Sequence, residues 1–235
     1  MVKALLVIID GGADRALKSL GRKTPFEVAD TPNMDKLAAN GVTGVFNAVG
    51  LGLSVGSDTS HLAIFGYDPY ETYSGRGAFE ALGSGLDLKP GDIAFRTNFA
   101  TVDDELKIID RRAGRYIEEA KELEEAINSI ELPGYRDVEI IFKHTVEHRG
   151  VLIIRGPGLS RMVSDTDPHK VGAKVLECKP LNKTIEAKKT AEIVNEFTRK
   201  VYDVLRSHPA NQRRKGSGKP PANILLLRGA GTLPN

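Results

Sequence analysis

Ala4-Leu5-Leu6-Val7-Ile8-Ile9-Asp10-Gly11-Gly12 sets the fold class. Its apolar residues follow one another without alternation and stop at an aspartate and two glycines. A strand that never alternates is buried on both faces, as in a mostly parallel sheet covered by helices. Asp10 then stands just past the carboxyl end of that strand, the edge at which open α/β sheets collect ligands. Outward from there, residues 31–41 read as a short helix, with Thr31 to cap it, Pro32 at its first position and Gly41 to stop it. Residues 42–49 read as a second strand, 50–56 as a glycine-rich turn, and 58–65 as a helix just beyond it.

From about residue 85 the texture changes. Residues 93–102, 106–109, 138–145 and 150–155 are strand-like, and residues 116–130 carry the helical spacing Ile117, Ala120, Leu123, Ile127. Closely spaced strands around single helices indicate an α+β insert rather than regular βαβ repeats. Residues 185–205 form a long amphipathic pattern with Ile193, Val194, Phe197, Val201 and Val204 on one face. Residues 207–221 are polar, basic and rich in Gly and Pro, which reads as a hinge or exposed loop. A last buried strand, 223–227, runs into Arg228-Gly229-Ala230-Gly231. The expected organisation is therefore a core segment at 1–75, an inserted domain at 76–210, and a hinge with a return strand at 211–235. Only two core strands precede the insert, against the ~5–6 of an average sheet, so the parallel core is incomplete in this chain.

Composition narrows the function. The 235 residues are 40% hydrophobic and 27% charged, which excludes collagen-like, disordered and coiled-coil chains. Lys and Arg number 33 against 31 Asp and Glu, so no strong field argues for nucleic acid or a membrane surface. The single cysteine, Cys178, excludes an internal disulfide framework and a cysteine zinc cluster. No apolar run approaches the ~20 residues of a membrane span, and the expectation is a soluble cytoplasmic protein.

Three groups of residues carry possible chemistry. Asp10 and Gly56-Ser57-Asp58-Thr59-Ser60-His61 can meet at one sheet edge. A serine hydroxyl needs a base or a metal to become a nucleophile, a helix amino end favours a phosphate on it, and Asp10 is a suitable hard-metal ligand. The competing reading makes Asp10 and Ser57 turn and helix caps. Gly52-Leu53-Ser54-Val55-Gly56 matches the G-x-S-x-G elbow of metal-free serine hydrolases, although Gly50 and Gly52 weaken the strand it requires. Asp165-Thr166-Asp167-Pro168-His169 has a two-ligand metal spacing, but Pro168 argues for a turn. Arginines crowd the later chain, among them Arg96, Arg111, Arg112, Arg115 and Arg161. Arginine suits a bidentate grip on phosphate or carboxylate. Weight falls on those beside Gly, His or a strand end: Arg76, Arg149 after His148, and Arg228.

Taken together, Ile8-Ile9-Asp10-Gly11, Thr31-Pro32-Asn33-Met34-Asp35-Lys36-Leu37-Ala38 and Gly56-Ser57-Asp58-Thr59-Ser60-His61-Leu62-Ala63-Ile64-Phe65-Gly66 resemble the archaeal-type 2,3-bisphosphoglycerate-independent phosphoglycerate mutases of the alkaline phosphatase superfamily. Gly75-Arg76-Gly77-Ala78-Phe79-Glu80, Phe95-Arg96-Thr97-Asn98, Ser164-Asp165-Thr166-Asp167-Pro168-His169 and Leu227-Arg228-Gly229-Ala230-Gly231 also look like family segments. The resemblance implies an alkaline-phosphatase-like α/β core with an inserted α+β substrate domain. It implies interconversion of 3- and 2-phosphoglycerate through a phosphoserine, in glycolysis and gluconeogenesis. Two divalent metal ions (Mn, Zn, Mg or Co) would serve, with no 2,3-bisphosphoglycerate. Ser57 matches the nucleophile and Asp10 a metal ligand, one metal binding both Asp10 and Ser57. Arg76, Arg96, His148, Arg149, Asp167 and Arg228 are the candidates to hold the substrate. Family members run on past this point with the remaining metal ligands, so this chain corresponds to an amino-terminal portion. Alone, it is expected to be inactive and to hold metal poorly. A related phosphatase or phosphomutase of the superfamily is the close alternative, a serine hydrolase using Ser54 the distant one. Phosphoglycerate is the expected partner, with no nucleic acid and no membrane; a homo-oligomer stays open.

Overall fold

The computed structural model describes residues 3–9, 11–50 and 56–234. The chain divides into two compact units, Met1–Asn47 and Ala48–Asn235.

The first unit carries α1 (Pro25–Val28) and α2 (Pro32–Asn40). Thr24 and Glu27 close a reciprocal capping box on α1. α2 starts at Pro32 as its sequence requires, but Thr31 makes no cap bond; its hydroxyl donates to Asp35 Oδ1 at 3.0 Å. Residues 4–9 and 42–49, read above as strands of a parallel core, are not strands here. A strand is defined by its ladder, and among the described residues this unit holds only the isolated bridge Leu17↔Lys23. Leu5 is accordingly 89% exposed.

The second unit follows the order α3 (Ser57–Ile64), α4 (Pro69–Thr72), α5 (Arg76–Gly83), β1 (Ile93–Val102), β2 (Ile108–Asp110), α6 (Ala120–Asn128), β3 (Glu139–His144), β4 (Arg149–Arg155), α7 (Ile185–Arg206), α8 (Pro209–Gly216) and β5 (Ile224–Gly231). Its five-stranded sheet has the order β2-β1-β4-β3, with β5 also paired to β1. Every pairing is antiparallel. The α+β mixture read for the later chain is thus present as an antiparallel sheet with helices, and no parallel pairing occurs among the described residues.

Strand β1 alternates its burden between two faces. Ile93, Phe95 and Phe99 join the main core with Leu123 and Ile127 of α6 and Phe197 of α7. Phe99 meets Phe142 edge to face at 5.6 Å. On the other face Ala94 packs with Ala78 and Ala81 of α5, and Ala100 and Val102 join Tyr202 and Leu226 in a third cluster. α5 lies close to the sheet because Gly77 faces the Ala94 carbonyl, where a Cβ would collide. Between the apolar patches of this second face stand Arg96 and Asn98.

Residues 207–221 are not an exposed loop. His208 caps α8, Pro209 takes its first position, and Ala210, Asn211 and Arg214 are buried. Asn211 donates to the Leu205 and Ala222 carbonyls at 2.8 and 2.9 Å, tying α8 to both neighbouring segments. Composition suggested a loop; these buried polar anchors override it. No helix among the described residues is long and apolar enough to cross a membrane.

Candidate functional site

The antiparallel register assembles the site. Arg96 and Asn98 lie two apart on β1 and share a face. Their cross-strand partners are Arg228 on β5 and Arg149 on β4. With His148 and Arg111, Arg112 and Arg115 from the loop after β2, they line a cavity of about 240 Å³. Six of its wall residues are arginines. Arg96 Nε, Asn98 Oδ1, His148 Nδ1, Arg149 Nε and Arg228 Nε are buried without a hydrogen-bond partner among the described residues. Buried polar groups are nearly always paired, so a wall with three guanidinium Nε–H donors left unpaired fits a multiply charged anion. Glu147 is the one acid on the wall, and it is paired with Arg115 at 3.0 Å.

The crowding shows in the protonation equilibria. Burial lowers the Arg96 guanidinium to about 10; Glu80 opposes this, and Arg228, Arg76 and Arg149 add to it. Burial likewise lowers Arg228, against the pull of Asp167. Burial, then Arg149 and Arg112, push the His148 imidazole down to about 4, so it is neutral near pH 7. Asp167 lies behind the wall. Arg111 Nε and Nη2 donate to its two carboxylate oxygens at 3.2 and 2.6 Å, and Arg228 Nη1 is 4.0 Å away. Burial raises the Asp167 carboxyl, but the bonds from Arg111 and from the His169 N–H outweigh it and leave the group below its ordinary value. Asp167 therefore aims two wall arginines instead of lining the cavity itself.

A second cavity, about 420 Å³, adjoins the first through Arg149. Ser57, His61, Arg76 and Glu80 also line it. Ser57 opens α3 directly after Gly56, and Arg76 opens α5. Glu80 Oε1 accepts from Arg76 Nε at 3.2 Å and pairs with Arg96 Nη1 at 3.0 Å, linking the two walls. A third cavity, about 560 Å³, lies among Asp58, Tyr73, Arg76, Asp165, His169 and Arg228. There the Tyr73 hydroxyl donates to Asp58 Oδ2 at 2.7 Å, and burial together with that carboxylate raises the phenol.

Of the residues singled out in the sequence, Arg96, His148, Arg149 and Arg228 share one cavity. Ser57 and Arg76 line the next, and Arg149 belongs to both. Asp10 and Ser54 lie outside the described residues. Asp165 and His169 sit on a turn, not a helix; Asp165 Oδ1 accepts from the Gly229 N–H at 2.8 Å. Among the described residues no three His, Cys, Asp or Glu converge as metal ligands. Asn98, Arg111, Arg112 and Arg115 carried no special weight in the sequence. Asn98 was legible as the same-face neighbour of Arg96, whereas nothing local marked Arg111, Arg112 and Arg115.

The model of the 2,3-bisphosphoglycerate-independent phosphoglycerate mutases matches residues 38–211. The chain belongs to this family. Among curated phosphoglycerate mutases of this kind, that of Ignicoccus hospitalis is 53% identical over 99% of the chain, and one from Methanocaldococcus jannaschii 54% over 99%. The chain spans 56% of the length of each. A solved cofactor-independent phosphoglycerate mutase from Thermoplasma acidophilum superposes with a TM-score of 0.65 at 39% identity, covering 97% of this chain and 58% of that one. A Pyrococcus horikoshii protein gives 0.69 at 41%, over 96% and 50%. The fold is accordingly that of the alkaline-phosphatase-like phosphoglycerate mutases, of which the chain spans little more than half the length.

Proposed function

We propose that this chain supplies the nucleophile and the substrate cradle of a phosphoglycerate mutase. It would exchange 3- and 2-phosphoglycerate through phosphoserine, without 2,3-bisphosphoglycerate, in the cytoplasmic reactions of glycolysis and gluconeogenesis. The observation that carries this reading is Arg149, common to the Ser57 cavity and the six-arginine cavity. A ligand with two anionic ends suits such a pair of adjoining spaces. Ser57, at the amino end of α3, takes the phosphoryl group, where the helix's free N–H groups and Arg76 offset its charge. The arginines hold the glycerate while it turns and presents its other hydroxyl. Residues 76–210 would form most of this cradle, with Arg228 returning from the segment 211–235. Keeping water from the phosphoserine favours return to glycerate over hydrolysis.

The family resemblance adds two divalent cations, with Asp10 and Ser57 as ligands from this chain, and their chemistry would be to make the Ser57 hydroxyl a nucleophile. The described residues do not by themselves form such a site. The roles above therefore rest on the chain's own side chains.

The test is conversion of 3-phosphoglycerate by the complete gene product with manganese present. Expected are 2-phosphoglycerate as product, radiolabel on Ser57 after quenching, and no turnover for Ser57→Ala. Free phosphate as the main product would replace the mutase with a phosphatase. Activity that survives chelation and Ser57→Ala but not Ser54→Ala would replace it with a serine hydrolase.

A further inference from the structure

We infer that Arg214 is a positioning residue for the anion cavity, holding the loop that presents Arg111, Arg112 and Arg115. Arg214 lies on α8, outside the cavity wall, and is 1% exposed. Its guanidinium is spent almost wholly on that loop and its flank. Nη2 donates to the Ala113 carbonyl at 2.7 Å, Nη1 to Glu119 Oε2 at 2.7 Å and to the Tyr116 carbonyl at 3.4 Å, and Nε to the Pro220 carbonyl at 3.0 Å. One planar fork thus fixes two backbone carbonyls of the loop, a carboxylate beyond it, and the segment leading into β5.

The loop needs such a clamp. Ala113, Gly114 and Arg115 all have positive φ, at 46°, 78° and 74°. Three consecutive residues of this kind, two of them with a Cβ, are uncommon, and such conformations persist only where the surroundings over-determine them. Asp110 holds the near side, accepting from the Arg112 and Gly114 N–H groups at 2.8 and 2.7 Å. Pro220 closes the far side, near enough to Gly114 that a Cβ would press on its ring. The reward of the strained path is the position of its arginines on the cavity wall. Neighbouring Arg213 and Lys219 make exposed pairs with Glu122 and Glu118, and neither side chain hydrogen-bonds to the loop.

The inference rests on reading the cavity as an anion site, and its test uses inorganic phosphate as probe, by calorimetry on this 235-residue chain. Arg214→Met and Arg214→Lys are compared with Arg213→Met, with melting followed in parallel. Arg214→Lys retains a charge for Glu119 but cannot bond Ala113 and Pro220 together. Expected is recovery of much of the melting temperature by Arg214→Lys while phosphate affinity stays at least tenfold down, with Arg213→Met close to the unmodified chain. Phosphate binding within twofold of the unmodified chain in a folded Arg214 variant, or affinity recovering in step with melting, overturns the inference. Should neither variant fold, Gly114→Ala decides. Its Cβ strains the positive-φ path and presses on Pro220 while leaving the Arg214 guanidinium in place, and an unchanged phosphate affinity overturns the inference. Phosphate uptake by the unmodified chain that 3-phosphoglycerate fails to displace sinks the mutase reading but leaves Arg214 assigned. No phosphate uptake at all sinks both.

Discussion

At the scale of residues, the cavity is a balance of like charges. His148 is held neutral because burial and the arginines beside it resist a further proton, down to about 4. In the empty protein the unfolded chain takes that proton first, so stability should fall as the pH drops from 6.5 toward 4. A bound anion reverses the local balance. It offsets the arginines, raises the imidazole, and so takes up a proton on binding. Sulfate keeps its charge over this range, and its affinity should rise between pH 7 and pH 5 in calorimetric titrations. A flat profile, or an equal rise in His148→Asn, would contradict the role. Asp167→Asn removes the carboxylate that aims Arg111 and Arg228. It should cost on the order of 2 kcal/mol of stability, since hydrogen bonds to charged groups are each worth about 1.5–3, and weaken anion binding in the cavity as well. Thermal melts and titrations of one preparation read both.

At the scale of elements, α7 is the keystone of the main core. Phe197, Val201 and Leu205 are fully buried along one face. Phe197→Ala should lower stability by about 3–5 kcal/mol in denaturant titrations, the usual loss for a buried aromatic ring. A change under 1 kcal/mol would mean that this face collapses around the gap. This helix was legible in advance because its apolar spacing is strong. The strands at 93–102 and 150–155 were legible as runs rich in β-branched and apolar residues. Residues 116–130 shortened to Ala120–Asn128 because the positive-φ loop precedes them, and nothing in Tyr116 or Ile117 announces it. Residues 207–221 misled because Arg213-Arg214-Lys215 looks like a solvated charge run. Only the fold shows that Arg214 faces inward while Arg213 does not. The candidate site followed the same divide. Arginines beside glycines and strand ends were readable, whereas Arg111, Arg112 and Arg115 reach the cavity through a backbone path that no local pattern encodes.

At the scale of the molecule, the buried apolar residues among those described all lie between Ala78 and Leu227. The unit Ala48–Asn235 therefore holds its own core. A chain of residues 48–235 should melt cooperatively, within about 5 °C of the 235-residue chain, a shift equivalent to ~1–2 kcal/mol at this size. Circular dichroism melts would show it, and a broad, non-cooperative transition would refute it. The pairing of β5 with β1 carries a further consequence. Phe99 sits opposite Leu225 and Arg96 opposite Arg228, partners more than a hundred residues apart along the chain. Contacts this remote are slow to form, because the intervening chain must be closed first. On the ribosome, β1 would wait beside β4 until the segment 224–231 had left the exit tunnel. The anion cradle is thus among the last features to be completed, and a polypeptide interrupted shortly before Ile224 would display five of the six arginines with no strand to shield their edge.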